Sequence, residues 1–221
     1  FRMRTIIVAC SLFVFLFLAR ESGADVTRQN TVPATDTEAS GVSTASWSHT
    51  VNAGSDLYLV VGVSTDINTA TYPTGVTYNS VAMTNIANQA PNTWGSTSVW
   101  GKTNPSTGAN TVQVTFAANQ TFASNSISFA GVNQSTPTAN VGQGSIGSFV
   151  ETNRALNITT VSGDYAFALL SMDNNQASFL GVTTGSQEWE SDAFGGGSQL
   201  TTSAASSAAS STTTTIAWDW T

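Results

Sequence analysis

Three carboxylates at alternate positions are the residues of this chain best suited to chemistry. Glu188, Glu190 and Asp192 lie around Trp189. Alternate side chains of an extended strand point to one face, so we expect the three carboxylates on the same face and Trp189 on the other. Such oxygen atoms can bind Ca²⁺, and a carboxylate pair can hydrolyse a glycosidic bond. Their spacing departs from the Glu-x-Asp-x-x-Glu run of jelly-roll glycosidases, so we interpret them as a solvated strand face and keep a Ca²⁺ site as the alternative.

The tryptophans suggest a different chemistry, the binding of sugars. Trp94 lies in a polar stretch with Pro91 and Asn92, and aromatic rings beside amide donors hold the apolar faces of sugar rings. Trp94 is therefore our candidate sugar contact. Trp218 and Trp220 share one face of the last predicted strand, and for them we expect core packing.

His49 is the single histidine of the chain. No nucleophile-elbow pattern accompanies it, and one imidazole without thiolates is a poor zinc site. We expect a half-buried strand histidine beside Trp47. The sequence therefore assigns no catalytic residue and no cofactor.

The amino-terminal residues have the composition of an export signal. Met3 and Arg4 precede an apolar run over residues 6–19, and the small residues Ser22 and Ala24 suit a cleavage site. We interpret residues 1–24 as a signal peptide, with a retained apolar anchor as the alternative. Cys10 lies inside this segment, so the mature chain would contain no cysteine, which favours an exported bacterial or archaeal protein.

The charge balance narrows the choice of partners. Without residues 1–24 the chain keeps 3 basic and 12 acidic side chains, a net charge of −9. Nucleic acids and anionic membranes bind mainly through Lys and Arg, so neither is an expected partner, and a membrane contact is expected only through an uncleaved amino-terminal segment.

Residues 57–64 form the most apolar and most β-branched run after the amino-terminal segment. Alternation places Leu57, Leu59, Val61 and Val63 on one face, while the other face is half apolar, so we predict an interior strand covered on both sides. Further short alternating runs follow between turns rich in Gly, Asn and Ser. They include a hairpin over residues 75–84, separate strands over residues 110–117 and 122–131, and a strand pair over residues 156–161 and 165–172.

This pattern of strands and turns predicts an all-β protein, a two-sheet antiparallel sandwich of jelly-roll or Greek-key connectivity. We assign residues 25–40 to a linker or donor strand and residues 41–221 to the β-sandwich domain. Residues 85–95 and 133–148 are predicted as loops.

The segments SWSHTV, LYLVVGVS, VTYNSVAMT, VWGKTNPSTGANTVQVTF and ISFAGVNQSTP occur in this order between residues 46 and 137. In that order they resemble β-sandwich modules of exported, often multidomain bacterial proteins and of some phage structural proteins. The resemblance implies a fold and a surface location, and it carries no catalytic residue. Such modules would have one more strand after residues 218–221, so either the sequence is a fragment or a neighbouring copy donates residues 25–40 to an open edge near Trp220.

We therefore expect a secreted, non-enzymatic cell-surface module for adhesion, glycan binding or structural assembly, with glycans or copies of itself as partners. One alternative is a subunit of an extracellular filament, assembled by strand donation. A pilin-like version of that alternative is suggested by Phe1, although Thr5 stands where pilins typically carry a glutamate. The other alternative is a polysaccharide-active hydrolase that uses the face of Glu188, Glu190 and Asp192.

Overall fold

The described part of the chain consists of β-strands joined by turns. The computed structural model describes residues 11–21, 24–31, 39–65, 71–92, 95–146, 153–173, 180–191 and 200–220. Its sixteen strands are β1 (Ser11–Leu18), β2 (Thr27–Thr31), β3 (Ala39–Val51), β4 (Tyr58–Thr65), β5 (Gly75–Tyr78), β6 (Val81–Ala82), β7 (Thr84–Asn92), β8 (Gly95–Thr103), β9 (Gly108–Ala130), β10 (Thr138–Ile146), β11 (Asn153–Thr159), β12 (Tyr165–Asp173), β13 (Leu180–Thr184), β14 (Ser186–Ser191), β15 (Leu200–Ala208) and β16 (Thr213–Trp220).

The strands form three sheets, and the strand pairs within them are antiparallel. The five-stranded sheet has the order β10-β1-β12-β15-β14, and the three-stranded sheet has the order β11-β16-β13. The eight-stranded sheet has the order β6-β5-β9-β4-β8-β7, and β2 and β3 also pair with β9. The predicted antiparallel all-β fold is confirmed, and the described strands form three sheets instead of the two predicted.

The five-stranded sheet is the middle layer. One of its faces packs on the eight-stranded sheet, where Phe167 and Leu169 meet Val60 and Phe129. The other face packs on the three-stranded sheet through a separate cluster that includes Leu170 and Trp218. A middle sheet needs strands that are apolar on both faces, and β12 has this composition.

The eight-stranded sheet also folds over onto itself. The first part of β9 pairs with β3 and β5, and the second part pairs with β2 and β4. The space between these two parts is filled by a third cluster, which includes Trp47, Leu59, Val61 and Trp100. This arrangement covers the second face of β4, and all eight residues of β4 are buried. The predicted interior strand is confirmed.

The hairpin predicted at residues 75–84 is also confirmed. β5 and β6 pair across Asn79 and Ser80, whose φ angles are 49° and 62°. Positive φ at both central residues is typical of a two-residue turn that follows the twist of the strands.

Several predicted connections are strands. Residues 85–95 were expected to be a loop, but β7 extends to Asn92 and pairs with β8. The loop predicted at residues 133–148 contains β10. The two strands predicted at residues 110–117 and 122–131 are one strand, β9, because residues 117–121 contain neither glycine nor proline to enforce a turn.

The strand pair predicted from residues 156–161 and 165–172 is wrong in its pairing. Both strands exist, but β11 pairs with β16, and β12 lies between β1 and β15. β11 buries only alternate side chains and so suits an outer layer, whereas β12 is apolar on both faces and suits the middle layer.

The structure also places the segments named as leader and donor strand. The part of the apolar run over Ser11–Leu18 is an interior strand of the middle sheet, and Thr27–Thr31 pairs with β9 of its own chain. β16 has a neighbour on each side, so the open edge predicted near Trp220 is wrong for this strand. Removal of residues 1–24 stays a prediction.

Candidate functional site

Two of the four site residues predicted from the sequence lie outside the described residues, and the other two lie on one strand. Trp94 falls between β7 and β8, and Asp192 follows β14; neither is among the residues that the structure describes. Glu188 and Glu190 are described, and both belong to β14.

A β-bulge in β14 breaks the alternation on which the shared carboxylate face depended. Gln187 pairs with Ala205 and Trp189 pairs with the adjacent Ala204, so Glu188 is the extra residue of the bulge. Glu188 and Trp189 are consequently both buried, and Glu190 is partly exposed. The interpretation of Glu188 as part of a solvated face is therefore wrong.

The Glu188 carboxylate lies between the eight-stranded and five-stranded sheets. Its side chain is fully buried, and its Oε2 lies 3.2 Å from Nε of Arg28 on β2. The Ser206 hydroxyl on β15 donates a hydrogen bond to Oε1. Burial raises the pKa of Glu188, and the Ser206 hydrogen bond and the Arg28 charge act in the opposite direction.

Glu190 has a hydrogen-bond partner on its own strand. Its Oε2 accepts a hydrogen bond from the side-chain amide of Gln187 on the same strand. Glu188 is fully buried and Glu190 is partly exposed, so the two carboxylates do not present a matched pair of oxygens to one ligand.

A second polar cluster surrounds His49 inside the folded eight-stranded sheet. His49 on β3 is fully buried, and its Nδ1 lies 2.9 Å from Oγ of Ser126 on β9. The indole N–H of Trp47 donates to the same hydroxyl oxygen at 2.9 Å. Nε2 of His49 has no hydrogen-bond partner among the described residues. Burial lowers the pKa of His49 to about 4, so the imidazole is neutral at pH 7.

His49 and Ser126 are the residue types of a catalytic dyad, but both are buried where a substrate has no access. Ser126 accepts its hydrogen bond from Trp47 inside a cluster of apolar side chains. A nucleophile must reach a substrate carbonyl, which this packing prevents. Trp47 and His49 share one face of β3 as predicted, but the histidine is fully buried rather than half-buried.

The expected core role of Trp218 is confirmed. Trp218 is fully buried between the three-stranded and five-stranded sheets, and its indole N–H donates to Oγ of Ser203 at 3.2 Å. The side chain of Trp220 is not among those that the structure describes.

The described ranges lack two kinds of feature. Those residues contain no helix long and apolar enough to cross a membrane. They also contain no group of three or more histidine, cysteine or acidic side chains placed to hold a metal ion.

No protein-family model, no curated protein and no solved structure matches this chain.

The sequence did not reveal the partners of Glu188. Arg28 lies in a polar stretch predicted as a linker, and Ser206 lies in β15, a strand of Ser, Thr and Ala that has no apolar alternation. A lone arginine near a predicted strand was the only signal, and it did not indicate which carboxylate it would contact.

Proposed function

We propose that the chain is an exported, non-enzymatic β-sandwich module of the cell surface, with a role in adhesion, glycan binding or structural assembly. The observation that carries the proposal is the position of Glu188, the strongest candidate for catalysis or Ca²⁺ binding. Its carboxylate is bound by Arg28 and Ser206 between two sheets, which is the arrangement of a structural group. Export is supported by the predicted signal peptide and by the resemblance of residues 46–137 to exported surface modules.

A glycan panel tests the binding and the catalytic interpretations together. We expect no hydrolysis by the wild type, and binding of one glycan class that Trp94→Ala abolishes and Val81→Ala retains. Val81 is 50% exposed on β6, so its truncation is a control for a surface change. Hydrolysis by the wild type that Glu188→Gln removes would refute the non-enzymatic role, and the absence of binding to any glycan would leave structural assembly as the role to test.

The structural role of Glu188 is tested by a double-mutant cycle with Arg28. Arg28→Met leaves a buried carboxylate without its cation, so we expect a loss of about 3–5 kcal/mol in the free energy of unfolding. Adding Glu188→Gln should recover about 0.5–3 kcal/mol of that loss. The matched control is Arg20→Met. The Arg20–Asp25 pair is 3.8 Å apart, with side chains 42% and 76% exposed, so its loss should cost only about 0–1 kcal/mol. Equal losses for Arg28→Met and Arg20→Met in chemical denaturation would contradict this role.

A subunit of an extracellular filament is the second candidate function, favoured by one observation. The middle sheet contains a strand, β1, that comes from the segment predicted to be removed on export. A sheet completed by a removable strand is the arrangement on which strand donation depends. Electron microscopy and size-exclusion chromatography of native material test this candidate: filaments support it, and a monodisperse monomer contradicts it.

A further inference from the structure

The middle sheet contains a strand-binding position formed by β10 and β12, and β1 occupies it. β1 is antiparallel to both neighbours, and each residue from 11 to 18 is in register with β12. β10 and β12 therefore run parallel to each other, about 10 Å apart, which is twice the usual strand spacing. Without β1 they could join only as a new parallel pair, and β10 would lose its strand partner within the described sheet.

The position selects a segment that is apolar on both faces. Val14, Leu16 and Leu18 are fully buried against the eight-stranded sheet, and Phe15 packs towards the three-stranded sheet. A strand with one polar face would leave polar side chains buried without partners in this position. Residues 25–40, the donor strand suggested by the sequence, are polar and do not meet this requirement.

A specific steric fit adds to the apolar requirement. Gly142 on β10 lies directly opposite Phe15, and a Cβ atom at Gly142 would overlap the Phe15 ring. Glycine inside a strand often marks such a close approach. The position is therefore shaped for an aromatic side chain at the fifth residue of the strand.

The chain is fixed to the rest of the fold on both sides of the predicted cleavage position after Ala24. On the amino-terminal side, the backbone N–H of Arg20 donates to Asp164 at 2.8 Å, and that of Glu21 donates to the carbonyl of Gly131 at 2.9 Å. On the carboxyl-terminal side, the N–H of Val26 donates to the carbonyl of Gly163 at 2.7 Å. Neither set of contacts requires the peptide bond between residues 24 and 25.

We propose that the site between β10 and β12 is a strand-binding site whose occupant is the chain's own segment Ser11–Leu18, which remains bound after the chain is cut at the predicted cleavage position. Hydrolysis of the peptide bond between residues 24 and 25 by a signal peptidase consumes one water molecule and leaves a carboxylate on Ala24 and an amino group on Asp25. The segment then changes from a covalently attached strand to a bound peptide. The proposal takes the cleavage position from the proposed export, but its test uses the purified chain alone. Failure to find surface localisation or glycan binding would therefore leave the result unaffected.

The test is a controlled cut in the folded full chain. Residues 22–23 are replaced by a site-specific protease sequence, the protein is folded and cut, and the product is examined by native and denaturing mass spectrometry. We expect one native species with the summed mass of both pieces, and two species under denaturing conditions. Release of the amino-terminal piece would overturn the proposal, whether the remaining protein stays folded or aggregates.

Matched variants show whether retention depends on this site. Gly142→Val should release the piece at least tenfold faster than the parent, because its side chain occupies the space of the Phe15 ring. Val141→Ala on the same strand should match the parent, because Val141 is 43% exposed. Phe15→Ala, a smaller change, should also accelerate release if Gly142→Val does not fold. The assignment would be overturned if Gly142→Val, or Phe15→Ala in its place, released the piece at the same rate as Val141→Ala.

Discussion

At the scale of single residues, buried polar side chains join the layers of this protein. Ser64 on β4 and Thr202 on β15 share a hydrogen bond of 3.0 Å between the eight-stranded and five-stranded sheets. Trp218 and Ser203 make the corresponding contact between the three-stranded and five-stranded sheets. Apolar packing is non-directional, whereas a buried polar pair is satisfied in one register only. These pairs therefore favour one alignment of the sheets over its neighbours.

His49 gives the stability of the protein a pH dependence with a definite sign. Its folded-state pKa of about 4 lies below its ordinary value of 6.5, so the unfolded chain binds the proton first as the pH falls. The stabilising contribution is complete above pH 6.5 and is lost between pH 6.5 and 4. The shift corresponds to about 3 kcal/mol of unfolding free energy.

The comparison of His49→Gln with the wild type isolates this contribution. Glutamine does not titrate, so the unfolding free energy of the variant should fall less than that of the wild type between pH 7 and 4, as measured by urea denaturation at each pH. Glu188 acts in the opposite direction in both proteins, because a raised carboxyl pKa adds stability as the pH falls. Parallel pH profiles for the two proteins would contradict the assignment to His49.

At the scale of elements, the close packing of β4 on β14 depends on one glycine. A Cβ atom at Gly62 would lie 3.0 Å from the Trp189 ring and 3.1 Å from Leu169. We expect Gly62→Ala to lower the unfolding free energy by about 1–3 kcal/mol through overpacking, as measured by thermal and urea denaturation.

Gly75 on β5 is the matched control for this change. A Cβ atom there meets no other atom within 4 Å, so Gly75→Ala should be neutral or stabilising by about 0.4–1 kcal/mol. A Gly62→Ala protein as stable as Gly75→Ala would show that Trp189 does not pack against β4 as described.

A strand or turn is predictable from the sequence where its own residues determine its structure. β4 and the β5–β6 hairpin were predictable, because continuous burial and a turn at Asn79 and Ser80 leave signals in the sequence itself. The pairing of β11 with β16 was not predictable, because the composition of a strand does not determine which strand it pairs with. β10 and β15 were missed because small and polar side chains give no alternation, although small residues are what their neighbours require.

The candidate site was less predictable than the fold. Alternation correctly placed Glu188 and Glu190 on a strand, but the bulge at Glu188 reversed the conclusion drawn from it. A bulge depends on the register of the partner strand β15, and that strand has no periodic signal in the sequence. The alternation of His49 with Trp47 and Val51 on β3 predicted a half-buried histidine. Its complete burial and its bond to Ser126 depend on how β9 folds back over the sheet.

At the scale of the whole molecule, the described strands differ in how completely the three layers cover their faces and in whether both of their edges are paired. β12 is covered on both faces and has strand neighbours on both edges, and β4 has the same protection in its own sheet. β6 contains two exposed residues, and among the described strands it pairs with β5 on one edge only. Local opening requires least free energy where few apolar contacts hold a strand.

Amide hydrogen exchange should therefore follow the layers rather than the order of the chain. We expect the slowest exchange in β4 and β12, close to the rate set by global unfolding, and fast exchange in β6, which opens locally. β1 should exchange as slowly as β12, because it is hydrogen-bonded on both edges and its Val14, Leu16 and Leu18 are fully buried. Peptide-resolved mass spectrometry of the full chain measures these rates. Fast exchange in β1 beside slow exchange in β12 would show that the amino-terminal strand opens independently of the sheet it completes.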